Sequence, residues 1–152
     1  MKQYLTFILA LGLLAACGAK TPTQAGDGSA TELAPGWQSL KFSQSGGIAG
    51  TKRSLQITRD GHGAARNEAA NKQVTFELTL EQLAQLGDLI SGVVDAGPVT
   101  LDLNCADCFA YKLQIVFPSQ TGEVQLSDVQ LPGSAYEPLI TFLRTLMDQV
   151  LQ

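Results

Sequence analysis

The stretch Phe109-Ala110-Tyr111-Lys112-Leu113-Gln114-Ile115 decides the fold class. Large apolar residues alternate strictly with small or polar ones. That period of two predicts a strand with one dry and one wet face. The same alternation recurs on both sides. Val99, Leu101 and Leu103 alternate with Thr100, Asp102 and Asn104, and Val124 and Leu126 alternate with Glu123, Gln125 and Ser127. Earlier in the chain, Leu40 and Phe42 alternate with Lys41 and Ser43, and Leu55 and Ile57 with Ser54, Gln56 and Thr58. Val74, Phe76 and Leu78 alternate with Thr75 and Glu77. Six such segments predict an antiparallel sheet of about six strands, covered on one face.

Two segments have period 3.6 instead. Thr79-Leu80-Glu81-Gln82 is a capping-box pattern, and Leu83, Leu86, Ile90 and Val93 follow on one helical face. Ser134-Ala135-Tyr136-Glu137 repeats the pattern, Pro138 falls in the first turn, and Leu139, Leu143, Leu146 and Val150 make the stripe. Two amphipathic helices on the dry face complete an α+β domain. Two stretches break the periodicity. Ser45 to Thr51 is a Gly-rich turn between the first two strands. Asp60 to Lys72 is polar and reads as a mobile loop, with His62 a surface residue between two Gly.

The chain has 152 residues, 45% hydrophobic and 16% charged, with a formal net charge of -4. That composition belongs to one globular domain, not to a disordered chain. An acidic balance argues against a nucleic-acid partner, which needs clustered Lys and Arg. One His excludes chemistry that needs two imidazoles, and three Cys make no zinc set unless His62 or carboxylates join them. No run reaches the ~20 apolar residues of a membrane-spanning helix.

The N-terminus carries its own signal. Met1-Lys2-Gln3 is a short basic start, and Tyr4 to Leu14 is apolar except for Thr6. Leu14-Ala15-Ala16-Cys17 resembles a bacterial lipobox. Resemblance to such precursors implies cleavage of residues 1–16 and acylation of Cys17. Gly18 follows where an Asp would imply inner-membrane retention, so the expected place is the outer membrane, facing the periplasm. Residues 17–36 are rich in Gly, Thr, Ala and Pro and read as a flexible tether. The folded domain is expected at 37–152.

The run Lys41-Phe42-Ser43-Gln44-Ser45-Gly46-Gly47-Ile48-Ala49-Gly50-Thr51-Lys52-Arg53 resembles the opening of the emfourin family, small inhibitors of thermolysin-like zinc metallopeptidases. Asp107-Cys108-Phe109-Ala110-Tyr111 is similar to the family's Asp-x-Phe-x-Tyr strand, and the two helical segments fall where the family's helices fall. The resemblance covers about residues 39 to 151. It implies a protease-binding loop made of Ser45, Gly46, Gly47, Ile48, Ala49 and Gly50, with Lys52 and Arg53 beside it. The lipobox, the insertion at 60–72 and the pair Cys105/Cys108 depart from the pattern.

The residues themselves give a parallel reading. Three Gly in five residues permit positive φ and close backbone approach. Ile48 among them either fills a partner's pocket or folds back on the sheet. Lys52 and Arg53 make a small basic spot, facing either a partner's carboxylates or solvent. Cys105-Ala106-Asp107-Cys108 is open to three readings: a redox dithiol, a zinc half-site or a structural disulfide. A dithiol favours a helix N-terminus and a zinc site needs a second pair, so the disulfide, in an exported domain, is the expectation. A bridge needs a turn at 104–108, because residues three apart in a strand lie ~10 Å apart. That turn predicts a hairpin of 99–103 with 109–117.

Nothing in the sequence supplies catalysis. There is no nucleophile with a partnered His, no HExxH and no phosphate loop. Asp102 and Asp107 read as turn and surface residues. The expectation is a lipid-anchored, non-enzymatic envelope protein with no cofactor and no metal. Its partner is a protein, either a thermolysin-like metallopeptidase or another envelope protein in an assembly role. The second reading is a non-inhibitory structural or assembly lipoprotein of the envelope, and the third is a thiol–disulfide enzyme using Cys105 and Cys108.

Overall fold

A computed structural model describes residues 36–97, 99, 101–102 and 105–152. Cys17, the signal segment and most of the tether lie outside the described residues.

The alternating segments form one antiparallel sheet. Its strands are β1 (Ser39–Gly46), β2 (Thr51–Thr58), β3 (His62–Asn67), β4 (Lys72–Glu77), β5 (Phe109–Val116) and β6 (Thr121–Ser127), with α1 (Leu80–Ser91) and α2 (Glu137–Val150). The spatial order is β4-β3-β2-β1-β5-β6. The first four strands form a meander. After α1 the chain returns to the other side of β1, pairing Gly46 with Phe109 and Ser39 with Val116.

One face of the sheet is dry. Leu40, Phe42, Leu55, Ile57, Tyr111 and Leu113 point into it and are almost wholly buried. Leu83, Leu86 and Ile90 of α1 and Leu139, Ile140 and Leu143 of α2 cover them. A fully buried Leu, Ile or Phe contributes about 1.5–3 kcal/mol, so this single layer of contacts carries the domain. This is the α+β class expected from the sequence.

α1 begins with the expected capping box. Thr79 Oγ1 accepts from the Gln82 amide at 3.2 Å, and the Thr79 amide donates to Gln82 Oε1 at 3.0 Å. α2 does not. Its N-cap is Tyr136, with no side-chain cap hydrogen bond. The Glu137 carboxylate instead accepts from the Gly133 amide at 2.6 Å. Pro138 has no N–H, so fewer donors at this end need a cap, and the Ser134 hydroxyl is not drawn in.

Two further expectations are corrected. Residues 60–72 are not a loop throughout, since β3 occupies the middle and pairs with β2 and β4. Ala65 is its only buried residue, and the ring of Phe76 takes the space a Cβ on Gly63 would need. Small residues hid the strand. Conversely, Val99, Leu101 and Asp102 belong to no strand. Both edges of β5 are taken, by β1 and β6, so Val99, Leu101 and Asp102 have no place beside it. The Asp102 amide donates to Gln130 Oε1 at 3.0 Å instead.

Candidate protein-binding tip

β1 and β2 stay in register to their ends, where Gly46 faces Thr51. The chain then reverses through Gly47-Ile48-Ala49-Gly50, closed by the Gly50 amide on the Gly47 carbonyl at 3.0 Å. Gly46, Gly47 and Gly50 have φ of 102°, 70° and 58°. Side chains rarely adopt that region, which explains the three glycines.

Contact with the neighbouring segment adds a second constraint. The Gly47 amide donates to the Cys108 carbonyl at 3.2 Å. A Cβ on Gly46 would run into that same carbonyl, and one on Gly47 would lie 2.8 Å from carbons of the Phe109 ring. The base of the tip is therefore held against the turn that enters β5. Cys105 and Cys108 are bonded to each other across that turn, with a Cα–Cα distance of 5.5 Å.

Ile48 projects from this braced base and is 92% exposed. It does not fold back on the sheet. Leaving a large aliphatic side chain in water has no gain for the fold, whereas a partner's pocket would remove it from water.

The structure separates the two basic residues. Lys52 lies on the open face of the sheet, opposite Ser45. Arg53 points the other way, toward α2. Its Nη2 donates to Gln44 Oε1 at 2.7 Å and its Nη1 to Asp148 Oδ1 at 2.5 Å. Gln44 is only 2% exposed. Arg53 is thus a fastener between sheet and helix, and Lys52, beside the tip, has no ion pair among the described residues. Sequence reasoning missed the Cys108 carbonyl as the tip's support, because no local pattern shows which turn packs beside which.

Next to Gln44 in the register stands Tyr111, stacked on Phe42 with ring centroids 6.1 Å apart and with the Arg144 guanidinium 5.5 Å from its ring centre. Burial pushes its hydroxyl above the usual range, more than the Arg144 and Arg53 charges pull it down.

The other candidates are elsewhere. His62 is exposed, with Nε2 3.9 Å from Asp60 Oδ2. Asp102 and Asp107 are exposed. Cys105, Cys108 and Asp128 offer three donor atoms within 4.8 Å of one another. With the two sulfurs joined, neither is the thiolate that metal ligation requires.

Compared with known proteins, the chain matches no protein-family model, and no curated protein matches it. Fold and tip together define an α+β domain, a six-stranded antiparallel sheet under two helices, with a braced apolar hairpin end.

Proposed function

We propose that the chain is a lipid-anchored, non-enzymatic inhibitor of a thermolysin-like zinc metallopeptidase, acting through the tip from Ser45 to Gly50. The observation that carries this reading is the 92% exposure of Ile48 on a tip whose base is tied to Cys108. Resemblance to the emfourin family supplies the class of target. Such enzymes, as the resemblance implies, prefer a large apolar residue just after the scissile bond, and Gly47-Ile48 presents one. A rigid base supports inhibition rather than cleavage, because a strand-held loop resists departure from the bound geometry. Cys17, acylated, would hold the domain at the bacterial envelope, on the outer membrane facing the periplasm.

The test is titration of a thermolysin-like peptidase from the same organism with the full-length protein in nonionic detergent. Inhibition should fall about 10- to 150-fold in Ile48→Ala, matching the ~1.5–3 kcal/mol of a buried Ile. Ile48→Asp should nearly abolish it, since an unpaired carboxylate in an apolar pocket is costly. Full peptidase activity at micromolar wild-type protein defeats the inhibitor reading. Equal inhibition by Ile48→Asp moves the contact off the tip.

A further inference from the structure

The uncovered face of the sheet has a charge unlike the rest of the molecule. Its outward positions carry Lys41, Lys52, Arg66 and Lys112 against Glu77 and Glu123. The remaining described residues hold ten acids against four cations (Arg53, Arg59, Lys72 and Arg144). A protein of net charge -4 has therefore gathered half of the described domain's cations on one face.

The register makes this a constellation. Ser43 and Ser54 sit opposite each other near the middle of the sheet. Ser43 faces Lys112 across β5, and Ser54 faces Arg66 across β3. Lys41 lies two residues along β1 from Ser43, and Lys52 two residues along β2 from Ser54. Two small hydroxyl residues thus form a floor with a cation at each of four neighbouring positions. Strand spacing puts Lys112 and Arg66 at opposite ends, about 14 Å apart. Lys41, Ser43, Ser54, Gln56, Arg66 and Lys112 border a shallow depression of about 380 Å³.

Lys112 has a counter-ion on this face, with Nζ 2.8 Å from Glu123 Oε1. No ion pair among the described residues neutralises Lys41, Lys52 or Arg66. Like charges gathered on one sheet face repel, so their company is a small cost to the fold. Pockets that hold small molecules enclose most of the ligand, and this depression lies open on the sheet face, with Lys41, Arg66 and Lys112 among its lining residues. Its outward strand positions carry no Phe, Tyr or Trp on which a nucleobase could stack.

We infer that this face docks an acidic polypeptide segment, whose carboxylates, spaced about 7–14 Å apart, meet Lys41, Lys52 and Arg66 over the Ser43/Ser54 floor. Lys52 joins this face to the tip, so one acidic partner protein can engage both. The inference rests on the reading of the chain as a protein-binding domain, but not on the partner being a peptidase.

The probe is a fluorescein-labelled decaglutamate peptide, followed by anisotropy with the full-length protein in nonionic detergent. At low ionic strength the wild type should bind it, and binding should weaken steeply toward physiological salt. Lys41→Glu with Arg66→Glu should reduce affinity about tenfold or more, with the melting temperature held as a check on folding. Both positions are outward, so the core is untouched. Ile48→Asp should leave peptide binding intact, which separates this site from the tip. Absence of binding at low salt overturns the inference, as does binding that the charge reversal leaves unchanged. Binding of a phosphate polymer of equal charge, with none of the carboxylate peptide, also overturns it and makes the face a phosphate site.

Discussion

Arg53 of β2 reaches Asp148 of α2, Nη1 to Oδ1, at 2.5 Å, and in doing so pins the sheet's tip end to the last turns of the covering helix. The two ends of this bridge are not equal. Asp148 is 55% exposed and Arg53 only 21%. Arg53 also supplies the donor for the buried Gln44 carbonyl oxygen.

Removal of Arg53 should therefore cost more than removal of its partner. Arg53→Ala strands a buried acceptor, worth about 1–3 kcal/mol. Asp148→Asn loses an exposed pair, worth about 0.2–1 kcal/mol. Urea unfolding of both variants and their double mutant measures the difference. Equal losses would mean that Gln44 plays no part.

Gly46 and Gly50 both have positive φ, yet their substitution should differ. Gly50→Ala meets open space and carries only the backbone term, about 1–2 kcal/mol. Gly46→Ala adds a collision with the Cys108 carbonyl and should lose clearly more. Chemical denaturation of the two variants side by side gives the order.

The Cys105–Cys108 bond closes a very short loop, so its chain-entropy gain is below the ~3 kcal/mol of a 15-residue loop. Replacing both Cys with Ser should lower stability modestly. It should also free the Cys108 carbonyl from its fixed place, so the Gly47 amide exchanges with deuterium faster than in the parent. Unchanged exchange would show that the strands alone brace the tip.

Tyr111 gives a pH signature. Its hydroxyl is buried with no hydrogen-bond partner among the described residues, and burial raises its folded pKa above the usual value of about 10. A raised folded pKa means that the stabilising difference is complete below pH 10 and is lost as pH climbs through the folded value. Tyr111→Phe should match or exceed the parent at neutral pH, by up to about 1 kcal/mol, and flatten the alkaline loss. Denaturant midpoints from pH 7 to 11 decide it.

Features set by near neighbours were legible in the sequence. The α1 capping box needs only Thr79 and Gln82, and the alternation from Phe109 to Ile115 needs only one strand. The strand at His62–Asn67 was not legible, because its inward Gly63 and Ala65 give little apolar signal and the space over Gly63 is filled by Phe76 from β4. Val99 to Leu103 alternates as well as any strand in the sequence, but pairing is a competition for edges, and β6 took the one beside β5, leaving Val99, Leu101 and Asp102 outside any strand. The Gly-rich tip was legible as a turn; its aim was not, since loop length does not direct Ile48. The cation cluster needed the register through β3, so it could emerge only once that strand was placed.

The place of β1 has a further consequence for an emerging chain. It is made first yet lies inside the sheet, and its second partner is synthesised about 70 residues later. The local meander from β1 to β4 can close early, since its loops are short. Until β5 arrives, one side of β1 exposes a row of unpaired amides and carbonyls beside Leu40 and Phe42. That half-built sheet is a template for pairing with another chain. Its lifetime is set by the closure of one long loop, so the protein's yield is governed by how soon β5 docks.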